Sequence, residues 1–356
     1  MLGLAILPFA ASSAKASDVT FLPDLFGEGM DASDMSPDGN TVVGTLNLPI
    51  SFNRGRAYRW NRGEGTVMLS EVRANALAVS ADGSVVVGGI GSGLFEPYRW
   101  TRETGIELLG SIGGTYGIAT DVTDDGATIV GHGNNHSGLH GLFRWRSGQI
   151  QELTVNMQSV DDAKISGDGS VIGVTFDNLT TGTKRPFRYT DAGGFQALET
   201  FGRGGSISGI SQNGSVLLGS SYGFGSPARP AFWTADGRIH ELATEFNNGS
   251  AWRSNADGSM IFGLTQIGQP YRPVRWLNGG NYEYADSIYE QYMPEGWEIA
   301  YIRDVSPDGR FVVGSGRNSG HGAVFVIDTV PEPNMAVTLA VLSMGLLMRR
   351  RNSVHR

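Results

Sequence analysis

The sequence predicts an all-β fold: a seven-bladed β-propeller of four-stranded repeats about 44 residues long, closed into a ring by the N-terminal strand. Three observations predict it. The first is a phrase repeated seven times, a polar turn ending in Gly, a short apolar run and a second Gly. It occupies residues 36–44 (SPDGNTVVG), 80–88 (SADGSVVVG), 123–131 (TDDGATIVG), 166–173 (SGDGSVIG), 211–219 (SQNGSVLLG), 255–263 (NADGSMIFG) and 306–314 (SPDGRFVVG). The turn glycines, Gly39, Gly83, Gly126, Gly169, Gly214, Gly258 and Gly309, are 44, 43, 43, 45, 44 and 51 residues apart, and a fixed period of this size marks a repeat architecture. The second observation is that each unit reads as four short strands. The third is that the last unit lacks a fourth strand while the chain begins with a spare one.

The second unit shows the strands in order. Residues 76–80 form a first strand, and 81–83 a tight turn in which Gly83 takes the positive φ that other residues resist. Residues 84–88, rich in β-branched side chains, form a second strand. A Gly/Ser loop leads to a third at 97–100 (PYRW), and 105–110 (GIELLG) is the fourth. The third strand recurs as AYRW at 57–60, LFRW at 142–145, PFRY at 186–189, AFWT at 231–234, PVRW at 273–276 and AVFV at 323–326. Its large apolar side chains are expected to wedge between neighbouring sheets, because a blade cannot bury both faces alone. Arg59, Arg99, Arg144, Arg188 and Arg275 fall on the opposite parity. Recurring in five of seven units, they read as scaffold that stacks on Trp or pairs with acids. The last spacing is long because residues 284–297 are inserted, with a helical turn or two at 287–293 stopped by Pro294 and Gly296. The strand at 20–25 (TFLPDL) is expected to complete the seventh blade and so remove exposed sheet edges.

Composition narrows the partners. Hydrophobic residues make up 40% of the chain, enough for a packed core, and Gly contributes 52 of 356 residues, as a turn-rich fold requires. The net charge of −8 argues against nucleic acid, which needs a basic face. The absence of Cys excludes disulfides, thiolate metal sites and cysteine nucleophiles. No cofactor is expected.

Both ends read as addresses rather than fold. Residues 1–16 read as a signal peptide, with Ala14 and Ala16 setting an A-x-A site cut by signal peptidase before Ser17; the usual basic segment is missing, which leaves open a start upstream of Met1. At the other end Val330, Pro331, Glu332 and Pro333 precede an uncharged apolar run at 335–348, followed by Arg349, Arg350 and Arg351. As a helix that run is about 21 Å long, short of a bilayer's roughly 30 Å hydrocarbon core, so it suits transient membrane association with the arginines on the cytoplasmic side. The three-part order at 330–356 resembles the PEP-CTERM sorting signal of Gram-negative bacteria. That resemblance implies processing by an exosortase-type membrane protease near Pro331, Glu332 and Pro333, and a setting of exopolysaccharide production. The repeat over residues 19–328 resembles the HAF-repeat group of probable extracellular bacterial proteins, which implies location and fold and supplies no settled enzymatic role to transfer.

Three constellations bear on chemistry. The turn aspartates Asp38, Asp82, Asp125, Asp168, Asp257 and Asp308 read as hairpin residues, with calcium the sharper alternative. His132, His136 and His140 share one loop and are the candidate zinc ligands, although Gly133 and Gly138 deny them the helix their spacing would suit. Asp161 and Asp162 stand where other units carry small or apolar residues, yet neighbours on a strand point to opposite faces and make no acid–base pair alone. Between strands one and two the turns barely vary, whereas the loops between strands two and three, on the other face, vary freely. Contact is expected there, with Tyr222, Tyr271 and Tyr282 as glycan-stacking candidates. The sequence therefore points to an exported, non-catalytic surface or matrix propeller that contacts exopolysaccharide or protein. The alternative is a polysaccharide hydrolase or lyase, which would gather non-repeat carboxylates, His or Tyr at the ring axis.

Overall fold

The computed structural model describes residues 19–25, 29–47, 55–153, 159–178, 180–244, 248–266 and 271–329. They form seven four-stranded antiparallel sheets arranged as a seven-bladed propeller. Six blades follow chain order: residues 30–68, 74–108, 113–152, 159–197, 204–241 and 249–284. The seventh combines Glu298–Val305, Phe311–Asn318 and His321–Asp328 with Val19–Phe21, which pairs Val19 with Ile327 and Phe21 with Phe325. The ring thus closes as the sequence requires. Ala14, Ala16, Ser17 and the whole 330–356 tail lie outside the described residues. Among those described, no helix is long and apolar enough to cross a membrane.

The repeated phrase has a physical reason at each position. The buried Ser36, Ser80 and Ser166 accept the backbone N–H of Thr41, Val85 and Val171 at 2.9–3.1 Å and donate to Asp38, Asp82 and Asp168 at 2.6–2.7 Å. The same carboxylates accept the N–H just beyond the turn glycine at 2.9–3.0 Å. The second glycine answers a bulge. In six blades the first strand carries one extra residue, as between Ala32 and Asp34 or Ile207 and Gly209. The irregularity presses a carbonyl against that glycine: a Cβ on Gly219 would sit 1.8 Å from the Ser206 carbonyl oxygen. Blade 4 is the exception. Its phrase is one residue shorter and its bulge moves to Asp161, so Val174 rather than Gly173 faces the aromatic Phe187.

At six of the seven blade boundaries the residue two after the turn glycine packs on the next blade's turn, as Val85 does on Gly126, Val171 on Gly214, and Phe311 on Gly39 across the closure. Trp233, Trp276, Tyr58, Tyr98 and Phe143 are fully buried in the clusters between sheets. Blades 5 and 7 correct the expected third-strand alignment by one residue. Ala231 and Phe325, not Phe232 and Val324, stand opposite the second glycine. The arginine column behaves as scaffold: Arg59 and Arg188 donate to the turn carbonyls of Gly83 and Gly214 one blade on, while Arg99, Arg144 and Arg275 pair with Glu107, Asp191 and Glu283. Arg99 also lies 5.5 Å from the Trp145 ring centre.

Candidate functional site

Two places concentrate chemistry: the ring axis and a groove on the loop face. The axial position is the residue five before each turn glycine, Asp34, Ala78, Asp121, Lys164, Gly209, Arg253 and Asp304. They surround a cavity of about 130 Å³. At its turn end the cavity meets a series of interblade backbone bonds, with Ala81 donating to Asp124, Asp124 to Gly167, Gly167 to Gln212 and Ala256 to Pro307 at 2.8–3.0 Å. Pro37 and Pro307 occupy the same position in blades 1 and 7, and proline has no N–H to continue the series.

The axial carboxylates are fasteners. Asp34 accepts the N–H of Val79, Asp121 that of Ile165 and Asp304 that of Met35, each from the following blade, at 2.8–3.1 Å. Arg253 pairs with Asp304 at 3.1 Å and donates to the carbonyls of Ser33 and Trp252. Burial, with the neighbouring Asp304 charge, holds the Asp34 carboxyl well above the usual carboxylate range. Burial also pushes Asp121 up to about 6, against the pull of Lys164, and raises Asp304 against the pull of Arg253. Burial works against the Arg253 charge, but Asp304, Asp34 and Asp121 more than compensate. Carboxylates do converge at the axis, as an enzyme would require. All three accept a backbone N–H of the following blade, which ties blade to blade.

The histidine loop is a hairpin with its tip at residues 135–139. His132 and His140 stand on its paired strands with ring centres 5.6 Å apart, and Tyr116 stacks on His140 at 5.2 Å. Four residues beyond His132 the chain has reached the exposed tip, so His136 lies over Gly113 instead. Among the described residues no three His, Asp or Glu are placed to hold a metal, and the zinc triad is not assembled. Burial pushes the His132 pKa down to about 4 despite Asp162, so it is neutral at pH 7. Asp161 pairs with Lys184 at 2.6 Å and Asp162 with Lys164 at 3.7 Å. The turn aspartates are occupied inside their own turns. The Ser80 hydroxyl beside Asp82, and the Ser170 N–H beside Asp168, hold those carboxyls below the usual range.

The tyrosine candidates separate. Tyr282 lies in the outer strand of blade 6 and packs edge-on to Tyr284 over the Trp276 cluster. Tyr222, half-buried, accepts the Lys184 N–H at 3.3 Å. Tyr271 is 43% exposed and lines a groove of about 420 Å³ between blades 6 and 7. Trp297 and Tyr301 share the lining, and Asp286, Ser287 and Glu290 form one wall. That wall is the insertion. Ala285–Tyr289 is helical and Glu290–Tyr292 a 3-10 turn, with Ala285 and Tyr289 buried between the blades. Trp297 rests on Phe21, ring centres 4.4 Å apart. Arg272 makes a two-pronged pair with Asp286 at 2.7 and 3.1 Å, which raises its pKa, and Arg317 pairs with Glu298 at 3.0 Å. Sequence reasoning found Tyr271 and the insertion but missed the axial column and the Tyr301 and Arg317 side of the groove.

No family model matches this chain, and no curated protein sequence matches it. Solved structures do. An oligogalacturonate lyase from Vibrio parahaemolyticus matches at a TM-score of 0.62 and 13% identity, over 87% of this chain and 93% of that one. The β-propeller domain of the trilobed protease from Pyrococcus furiosus, described as having an open velcro topology, matches at 0.58 and 11%, over 88% and 96%. TolB from Acinetobacter baumannii matches at 0.51 and 18% over 68% of this chain, which spans 62% of that TolB's length. Likenesses at such identities establish the propeller fold alone.

Proposed function

We propose that this propeller is an exported, non-catalytic component of the outer surface or extracellular matrix of a Gram-negative bacterium, contacting polysaccharide or protein through its loop face. The observation that carries the contact reading is an asymmetry of exposure. Of eight exposed large apolar side chains among the described residues, five lie on the loop face: Leu25, Val72, Leu94, Phe224 and Tyr271. Val67 and Leu108 lie on outer strands, and Leu277 alone on the turn face. Apolar exposure concentrated on a single face suits a contact surface. Occupation of the axial carboxylates by backbone N–H groups supports the non-catalytic part. The signal peptide at 1–16 and the PEP-CTERM-like order at 330–356 support export and sorting, with signal peptidase and an exosortase-type protease as processing partners.

Fractionation of cells making the full chain, or a chain lacking 330–356, tests the address. The truncated form is expected to change compartment, and an unchanged distribution would remove the sorting reading. Incubating the secreted form with the host's polysaccharide tests the rest. Binding without depolymerisation is expected, whereas turnover would make the protein a hydrolase or lyase.

A further inference from the structure

We infer that the groove between blades 6 and 7 is a subsite for a neutral oligosaccharide, read through stacking on Tyr271 and paired hydrogen-bonding groups on either side. This rests on the proposed contact role of the loop face and names its ligand class and place.

The groove stands where the repeat carries its longest insertion. Five of the six spacings between turn glycines are 43–45 residues; the sixth is 51, because residues 284–297 are inserted between blades 6 and 7. The insertion supplies Asp286, Ser287, Glu290 and Trp297 to a groove whose other side is Tyr301 and Arg317 of blade 7. The floor is rigid. Ala285 and Tyr289 anchor the insertion in the core, and the Tyr292 hydroxyl donates to the Thr329 carbonyl at 3.3 Å. The Arg272 guanidinium lies 3.6 Å from the centre of the Tyr284 ring while both its prongs hold Asp286.

The ligand class follows from aromatic rings and charge together. Tyr271, Trp297 and Tyr301 offer apolar faces with polar tips, the surface that sugar C–H faces cover without stranding their hydroxyls. Arg272 and Arg317 are each neutralised by a carboxylate within 3.1 Å. Such pairs present donors and acceptors side by side, the arrangement vicinal hydroxyls complement. With Glu290 on the rim, three carboxylates face two guanidinium groups in a chain of net charge −8. A uronate or sulfated sugar would meet like charge there, whereas a hexose chain would not.

The test measures binding of the full chain to maltohexaose, cellohexaose and mannohexaose, with a hexamer of galacturonic acid as the charged comparison. Tyr271→Ala probes the groove, Glu290→Lys its charge and Phe224→Ala the loop face elsewhere. All three positions are exposed, and thermal melts check that each variant folds. At least one neutral hexamer is expected to bind more tightly than the galacturonate, to weaken roughly tenfold with Tyr271→Ala and to keep its affinity with Phe224→Ala. Glu290→Lys is expected to raise galacturonate binding. Neutral binding lost with Phe224→Ala but kept with Tyr271→Ala would overturn the groove assignment and leave the loop-face reading standing. Preference for galacturonate in the unaltered chain would overturn the ligand class. Failure of every sugar to bind, and of the host's polysaccharide as well, would remove the glycan reading of the face altogether.

Discussion

The two faces of this ring are joined by the same strands and differ in what a side chain there must do. On the turn face each residue of the repeated phrase satisfies its own turn or the neighbouring blade. Ser80 caps Val85, Asp82 holds Ser84, Val85 covers Gly126, and the axial carboxylates grip the next blade's backbone. On the loop face the corresponding segments share no repeated phrase, and exposed Leu94, Phe224 and Tyr271 survive there. The lesson is that repetition records structural obligation, and binding has to be sought where repetition stops.

Paired glycine substitutions should separate the faces most strongly. Gly219→Ala drives a Cβ to 1.8 Å from a backbone carbonyl and is expected to cost about 3 kcal/mol, because overpacking against backbone has no soft partner. Gly93→Ala in the exposed loop of blade 2 meets nothing within 4 Å and should change stability by less than about 0.5 kcal/mol. Chemical denaturation of both variants checks the contrast. Next in size is Arg253→Met, which leaves Asp34 and Asp304 without their cation and is expected to cost about 3 kcal/mol at pH 7. Much of that loss should be recovered on acidification.

Smaller effects appear as pH dependence, with opposite signs at two sites. His132 has its folded pKa at about 4, below the ordinary 6.5, so the unfolded chain takes up the proton first. Its contribution is present above pH 6.5 and is lost as pH falls from 6.5 through 4. Asp121 has its folded pKa raised to about 6, so its contribution is fully present below 3.8 and is lost as pH rises from there through 6. The two oppose each other in the unaltered protein. His132→Gln should therefore lose less stability than the parent between pH 7.5 and 5, by about 1–2 kcal/mol, and Asp121→Asn should lose more, by about 1 kcal/mol. Melts at the two pH values decide both signs. At the bottom of the scale, Tyr271→Ala should leave stability within about 0.5 kcal/mol of the parent.

The blades, their four strands and the closing strand were legible because each is a local pattern repeated in register. The axial column was not, although its signal was present. Asp34, Asp121, Lys164, Arg253 and Asp304 are first-strand charges at a constant offset from the turn glycine, and only the ring brings them together. Asp161 and Asp162 looked out of place for a reason the sequence holds but does not announce. One residue is missing from the phrase at 166–173, and the bulge moves to Asp161 to restore pairing. The groove was half legible: the insertion and Tyr271 stood out, but Tyr301 and Arg317 belong to it only through the packing of blade 7 beside blade 6.

Hydrogen exchange of the full chain, with and without a bound neutral polysaccharide, tests most directly the claim that contact belongs to the variable face. Added protection should fall on the loop ends of the blades, strongest over residues 271–273 and 297–301, with the seven tight turns unchanged. Protection centred on those turns or on the axial strands would contradict it.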